Sequence, residues 1–162
     1  MIMDSLAVNL QERNESLRVA DAASWAHERD PERALLFIYG SLMRGFELYH
    51  YMVGATFIGQ GRVQGTLVSL GRYPGLIAGA GDVHGELYQL EDPAQLEALD
   101  DLEEYNPERP EQSEYTRTER EIRLDDGRTC SAWVYIYNRD TKDCPVIVSG
   151  DWHRRGSIPS AR

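Results

Sequence analysis

The run Leu35-Leu36-Phe37-Ile38 ends in Tyr39-Gly40-Ser41-Leu42, and the chemistry changes abruptly at that boundary. The apolar stretch has the character of a strand. Gly40 carries no Cβ, so the backbone can turn sharply there. The amides of Gly40, Ser41 and Leu42 then leave the sheet edge unpaired, and converging N–H groups bind anionic or carbonyl oxygens. The segment reads either as a fixed cluster of donors that holds a substrate or as a plain strand-to-loop turn. Ser41 also has the chemistry of a nucleophile, but no His or Cys beside it in the chain supplies a base.

A second candidate lies in Leu99-Asp100-Asp101-Leu102-Glu103. Leu96, Leu99 and Glu103 are spaced three and four apart, which places Glu103 on the apolar side of a helix. A carboxylate facing a pocket has its pKa raised by desolvation and serves as a general base near neutral pH. The competing reading is a solvated acidic face, because Glu97, Asp100, Asp101 and Glu104 surround it. Tyr115 and Arg117 share one face of a strand. They form either ordinary strand surface or a phenol and a guanidinium lining a pocket. Gly40 and Gly45 match the outer spacing of a phosphate-binding loop, yet Phe46 and Glu47 stand where that loop needs Lys and Ser or Thr. His27, His50, His84, His153, Cys130 and Cys144 show no metal-ligand spacing.

These residues need elements to hold them. Val83 to Leu90 alternates apolar and polar positions, the period of a half-buried strand. Thr56, Ile58, Val63, Thr66, Leu67 and Val68 recur between glycines, which predicts a bent strand or a strand pair over 55–70. Glycines at 71, 75, 79, 81 and 85 predict turns and short strands after it. Asp92-Pro93 opens a helix, with Asp92 as cap and Pro93 in the first helical position. That helix is expected to end near Tyr105-Asn106-Pro107. Tyr115 to Leu124 and Thr129 to Tyr137 read as a hairpin around Asp125-Asp126-Gly127. Trp133, Tyr135 and Tyr137 repeat at period two, as a barrel wall does. One or two helical turns are expected over 47–53. Strands dominate without βαβ alternation, so the fold class is α+β, a small mostly antiparallel β-barrel with flanking helices.

The chain has 162 residues, 41% hydrophobic, which suits one domain with extensions. Residues 1–33 form a polar extension with one short helix, 34–152 the domain and 153–162 a polar tail. A net charge of −10 argues against a nucleic-acid partner. No apolar stretch reaches the ~20 residues of a membrane span. No signal peptide is evident and two cysteines make no disulfide framework, so a cytoplasmic location is expected.

Taken in order, four motifs resemble the gamma-glutamylcyclotransferase-like family, in particular its AIG2-like branch. They are Tyr39-Gly40-Ser41-Leu42 with Met43-Arg44-Gly45, Leu99 to Glu103, Tyr115-Thr116-Arg117, and Ala132-Trp133-Val134-Tyr135. Gly150-Asp151-Trp152 also resembles that branch. The resemblance spans roughly residues 34–152 and implies a small barrel flanked by helices. Members release 5-oxoproline from γ-glutamyl compounds by intramolecular attack, without metal or organic cofactor. By resemblance, the amides of Tyr39, Gly40, Ser41 and Leu42 hold the γ-glutamyl moiety; Tyr115 or Arg117 is expected to assist at the glutamyl end. Glu103 is then the acid/base, and Glu104, standing where many relatives carry glycine, is the fallback. The implied partner is a small γ-glutamyl substrate: an amine, an amino acid or glutathione. The acidic 104–114 loop is expected to disfavour leaving groups with extra carboxylates. The alternatives are a non-catalytic binding or regulatory domain on the same barrel, and a serine hydrolase using Ser41.

Overall fold

In the computed structural model, which describes residues 33–156, five strands close into a barrel in the order β1-β3-β2-β4-β5. They are β1 (Leu35–Ile38), β2 (Thr56–Ser69), β3 (Pro74–Gln89), β4 (Tyr115–Leu124) and β5 (Thr129–Tyr137). Neighbours pair antiparallel except at the seam, where β1 meets β5 in parallel through Leu36 and Trp133. Among the described residues a single α-helix, α1 (Pro93–Leu102), joins β3 to β4. Short 3-10 turns occupy Tyr49–Met52, Pro110–Gln112 and Trp152–Arg154. The barrel expected from the strand pattern is thus present. The helix expected in the N-terminal extension lies outside the described residues.

β1 is apolar throughout because all four of its residues are buried. Phe37, Tyr88 and Trp152 are among the largest fully buried side chains of the core. Burying each contributes roughly 2–3 kcal/mol. Trp152 arrives from the C-terminal segment, whose turn is capped by the Asp151 carboxylate accepting from the His153 N–H at 2.9 Å.

Two elements differ from the sequence expectation. Residues 74–89 form one 16-residue strand in place of turns and short strands. The glycines there mark close cross-strand approach and not turns. A Cβ on Gly85 would lie 2.6 Å from the Phe37 ring, and one on Gly75 would lie 2.8 Å from the Tyr137 Cβ. Nor is the end of β3 half-buried. Gly85 to Leu90 are all buried, Glu86 and Gln89 included, because β3 lies between β1 and β2.

The second difference is the helix end. α1 starts as expected, with the Asp92 carboxylate accepting from the Ala94 N–H at 2.9 Å. It stops at Leu102, three residues before the position that Pro107 suggests. The Tyr105 N–H donates to the Asp100 carbonyl at 2.8 Å and the Glu104 N–H to the Asp101 carbonyl at 3.2 Å. These paired bonds close a helix through a left-handed residue. That residue is Glu104, with φ of 53°.

Candidate active site

The loop after β1 is buried at Tyr39, Gly40, Ser41, Leu42 and Met43. The carbonyls of Gly40 and Ser41 accept from Met43 and Leu48 N–H groups, each at 3.0 Å. The amides of Gly40, Ser41 and Leu42 donate to no acceptor among the described residues. Buried backbone donors almost always have a partner, and these three residues all line one cavity. The reason for glycine at 40 differs from the sequence expectation. Its φ is not left-handed, but Pro74 approaches to 2.6 Å from where a Cβ would sit.

The loop is anchored by a residue that sequence reasoning missed. Glu86 on β3 accepts from the Arg44 backbone N–H at 3.1 Å, from Arg44 Nε at 3.4 Å and from the Tyr88 hydroxyl at 3.0 Å. Its position in an alternating strand gave no sign of this. The only signal was an acidic residue between apolar neighbours.

Across the cavity stands Glu103, the capping residue at the C-terminus of α1. The sharp turn at Glu104 leaves its carboxyl in the cavity wall. Burial pushes that carboxyl up to about 7, and the nearby Glu114 charge adds to the rise. Near neutral pH it can therefore both accept and return a proton. Burial also raises Glu114, and the Glu104 carboxyl lying against it adds to the effect.

The cavity measures about 290 Å³. That is close to the lower bound of ~300 Å³ for small-molecule sites. Tyr39, Gly40, Ser41, Leu42, Glu103 and Tyr115 all line it, as does Glu104 at its edge. The Tyr115 hydroxyl donates to the Pro74 carbonyl at 2.8 Å and the Tyr39 hydroxyl to the Tyr135 carbonyl at 2.6 Å. Burial holds the phenols of Tyr39, Tyr115 and Tyr135 well above the usual tyrosine range, and the charge on Glu103 adds to this, so they remain O–H donors. Tyr135 is a further lining residue that the sequence reading assigned to the barrel wall. Its hydroxyl donates to Asp100 at 2.8 Å.

Arg117 is the correction. It is absent from the cavity lining. Its guanidinium forks onto Asp100 at 2.9 and 3.1 Å and lies 4.3 Å from the centre of the Trp133 ring. Arg117 thus ties α1 to β4 and lies outside the cavity lining. Among the described residues the cavity is lined by no His, Cys or Lys, so Ser41 has no such base beside it. The described residues also contain no group of three or more His, Cys, Asp or Glu able to hold a metal ion, and no helix long and apolar enough to cross a membrane.

Known proteins resemble this chain over most of its described length. Residues 36–154 match the model of the family described as "Gamma-glutamyl cyclotransferase, AIG2-like". Gamma-glutamylcyclotransferase family protein YtfP of Escherichia coli K12 is 39% identical over 118 residues, covering 72% of this chain and 94% of the relative. The solution structure of E. coli ytfP superposes with a TM-score of 0.53 at 38% identity, covering 75% of this chain and 97% of that one. Gamma-L-glutamyl-butirosin B gamma-glutamyl cyclotransferase of Niallia circulans is 36% identical over 107 residues, covering 65% of this chain and 67% of the relative.

Proposed function

The chain belongs to the AIG2-like gamma-glutamyl cyclotransferase family, and from that premise we propose that it releases 5-oxoproline from a small γ-glutamyl-amine or γ-glutamyl-amino acid. One observation carries the reading. A single cavity joins the buried Gly40–Leu42 amides, which donate to no described residue, with the Glu103 carboxyl held at about 7.

In this reaction the substrate's α-amine attacks its own γ-carbonyl carbon. Glu103 takes the proton that the amine must lose, and a new C–N bond closes the five-membered ring. Negative charge collects on the carbonyl oxygen, where fixed loop amides stabilise it. The bond to the leaving nitrogen then breaks, and Glu103 returns the proton to that nitrogen. The cavity folds the flexible glutamyl chain toward the ring, which converts chance encounters into a near-attack geometry. The attacking nitrogen belongs to the substrate, so no acyl-enzyme forms on Ser41 and no cofactor enters the scheme.

The test is a panel of γ-glutamyl compounds assayed for 5-oxoproline. Release from at least one supports the reading. Tight binding without release across the panel would favour a binding or regulatory domain on the same barrel.

The pH profile follows from Glu103. The carboxylate form is the base, so kcat/KM rises as pH climbs through about 7. A profile that stays flat between pH ~5.5 and ~8.5 rules out a base titrating in that range.

Gly40→Ala tests the loop. The added methyl meets Pro74 at the start of β3 and displaces the amides. The expected loss is about 10²-fold in kcat/KM, against only ~1–3 kcal/mol in urea unfolding. Unchanged turnover in the alanine variant removes the loop amides from the mechanism.

A further inference from the structure

The mouth of the cavity differs from its floor. Gly40, Ser41 and Leu42 are buried, whereas Glu104 is exposed, Glu114 is half-buried and Tyr73 is 39% exposed. A γ-glutamyl group seated on the loop amides therefore directs its departing amine toward Glu104, Glu114 and the Tyr73 ring. The Glu104 and Glu114 carboxyls lie against each other, and the Glu114 N–H donates to the Glu104 carbonyl at 3.2 Å. Deeper in, the enclosed Glu103 carboxyl faces the same space and accepts no hydrogen bond from any described residue. The cations nearby already have partners. Arg72 pairs with Glu47 at 3.5 Å, and its guanidinium lies 5.8 Å from the centre of the Tyr73 ring. Arg139, whose charge also reaches Glu114, donates to the Gln112 carbonyl at 2.8 Å.

Resting on the cyclotransferase reading, we propose that this mouth selects γ-glutamyl compounds whose leaving amine carries a second positive charge, an alkylammonium set a few bonds beyond the scissile nitrogen. Two carboxyls supply charge-assisted acceptors for its N–H groups. A carboxylate in the same place meets like charge and is rejected. The floor of the site recognises what all γ-glutamyl compounds share, and the mouth recognises what distinguishes them.

Three γ-glutamyl amides of matched length test this. Their leaving amines are 1,4-diaminobutane, pentylamine and 5-aminopentanoate, which end in an ammonium, a methyl and a carboxylate. The readout is kcat/KM for 5-oxoproline release. The expected order is ammonium, then methyl, then carboxylate, with about tenfold between steps. In Glu114→Gln and in Glu104→Gln the ammonium-to-methyl ratio falls toward unity. Because the ratio is taken within each variant, a smaller folded fraction cancels, and the wild-type series decides alone if a variant does not fold. Equal rates for all three, a preference for the carboxylate, or a ratio that moves in neither variant overturns the proposal and leaves the cyclotransferase reading standing. No 5-oxoproline from any of the three, with release from a γ-glutamyl-amino acid, overturns the proposal alone, and no release from the amides or from the wider panel overturns both.

Discussion

Glu103→Gln is expected to lose turnover and to gain stability above neutral pH. Glutamine keeps the shape of the side chain but cannot accept the proton, so kcat falls by roughly 10²–10⁴-fold. The stability change follows from the raised pKa. The folded carboxyl titrates at about 7, against a reference value of 4.5. Below the lower value both folded and unfolded chains carry the proton, and the site costs nothing. Between the two values the unfolded chain ionises and the folded one resists, so stability falls as pH rises and levels off above the folded pKa. The full penalty is roughly 1–3 kcal/mol, allowing for the opening of the carboxyl onto the cavity. The glutamine variant does not pay it. Urea unfolding at about pH 5 and pH 8 checks the sign. Equal stability of the two proteins at the higher pH means that Glu103 is not desolvated. Full activity in Glu103→Gln, with Glu104→Gln inactive, moves the base by one residue.

The second large effect is at Arg117. The side chains of Arg117 and Asp100 are only 14% and 10% exposed. Removing one member of a buried pair strands the other charge and costs about 3–5 kcal/mol. Arg117→Ala also forfeits the stack on Trp133. Arg117→Lys keeps the charge and loses the planar fork, so an intermediate loss is expected. Asp100 lies one turn before Glu103 on α1, and the Asp100 carbonyl accepts the Tyr105 N–H that closes the helix. Loosening the pair therefore also loosens the turn that aims the base. Chemical denaturation measures the effect. A loss below about 1 kcal/mol places the pair among ordinary surface ion pairs.

Much of the site could be read from local chemistry. A strand ending in Tyr39-Gly40-Ser41-Leu42, a carboxylate at helical spacing from Leu96 and Leu99, and the Asp125-Asp126-Gly127 hairpin each follow from short-range rules. The structure brings the first two together across one cavity. What escaped depends on partners distant in the chain. Gly75 and Gly85 looked like turn residues because nothing local reveals that Tyr137 and Phe37 press against them. Arg117 shares a strand face with Tyr115, as period-two alternation requires, but only the packing of α1 shows that Asp100 meets it first. Tyr135 pairs across the strands with Arg117, and its hydroxyl reaches the same Asp100. A sequence pattern places these residues on a face but does not say which neighbour takes each polar group.

The seam of the barrel has a consequence for ligand binding. β1 meets β5 through the Leu36–Trp133 pair alone, and the Tyr39 hydroxyl crosses the same join to the Tyr135 carbonyl. A molecule lodged between the Tyr39–Leu42 loop and Tyr135 bridges both margins of that join. It acts as a staple, and every opening of the barrel there must first release it. Occupancy and closure are then thermodynamically linked, with saturation at a hundred times Kd adding about 2.7 kcal/mol to the folded state. The amides of β1 and β5 would accordingly exchange with solvent more slowly as ligand accumulates, so the join between these strands reports whether the interior is filled.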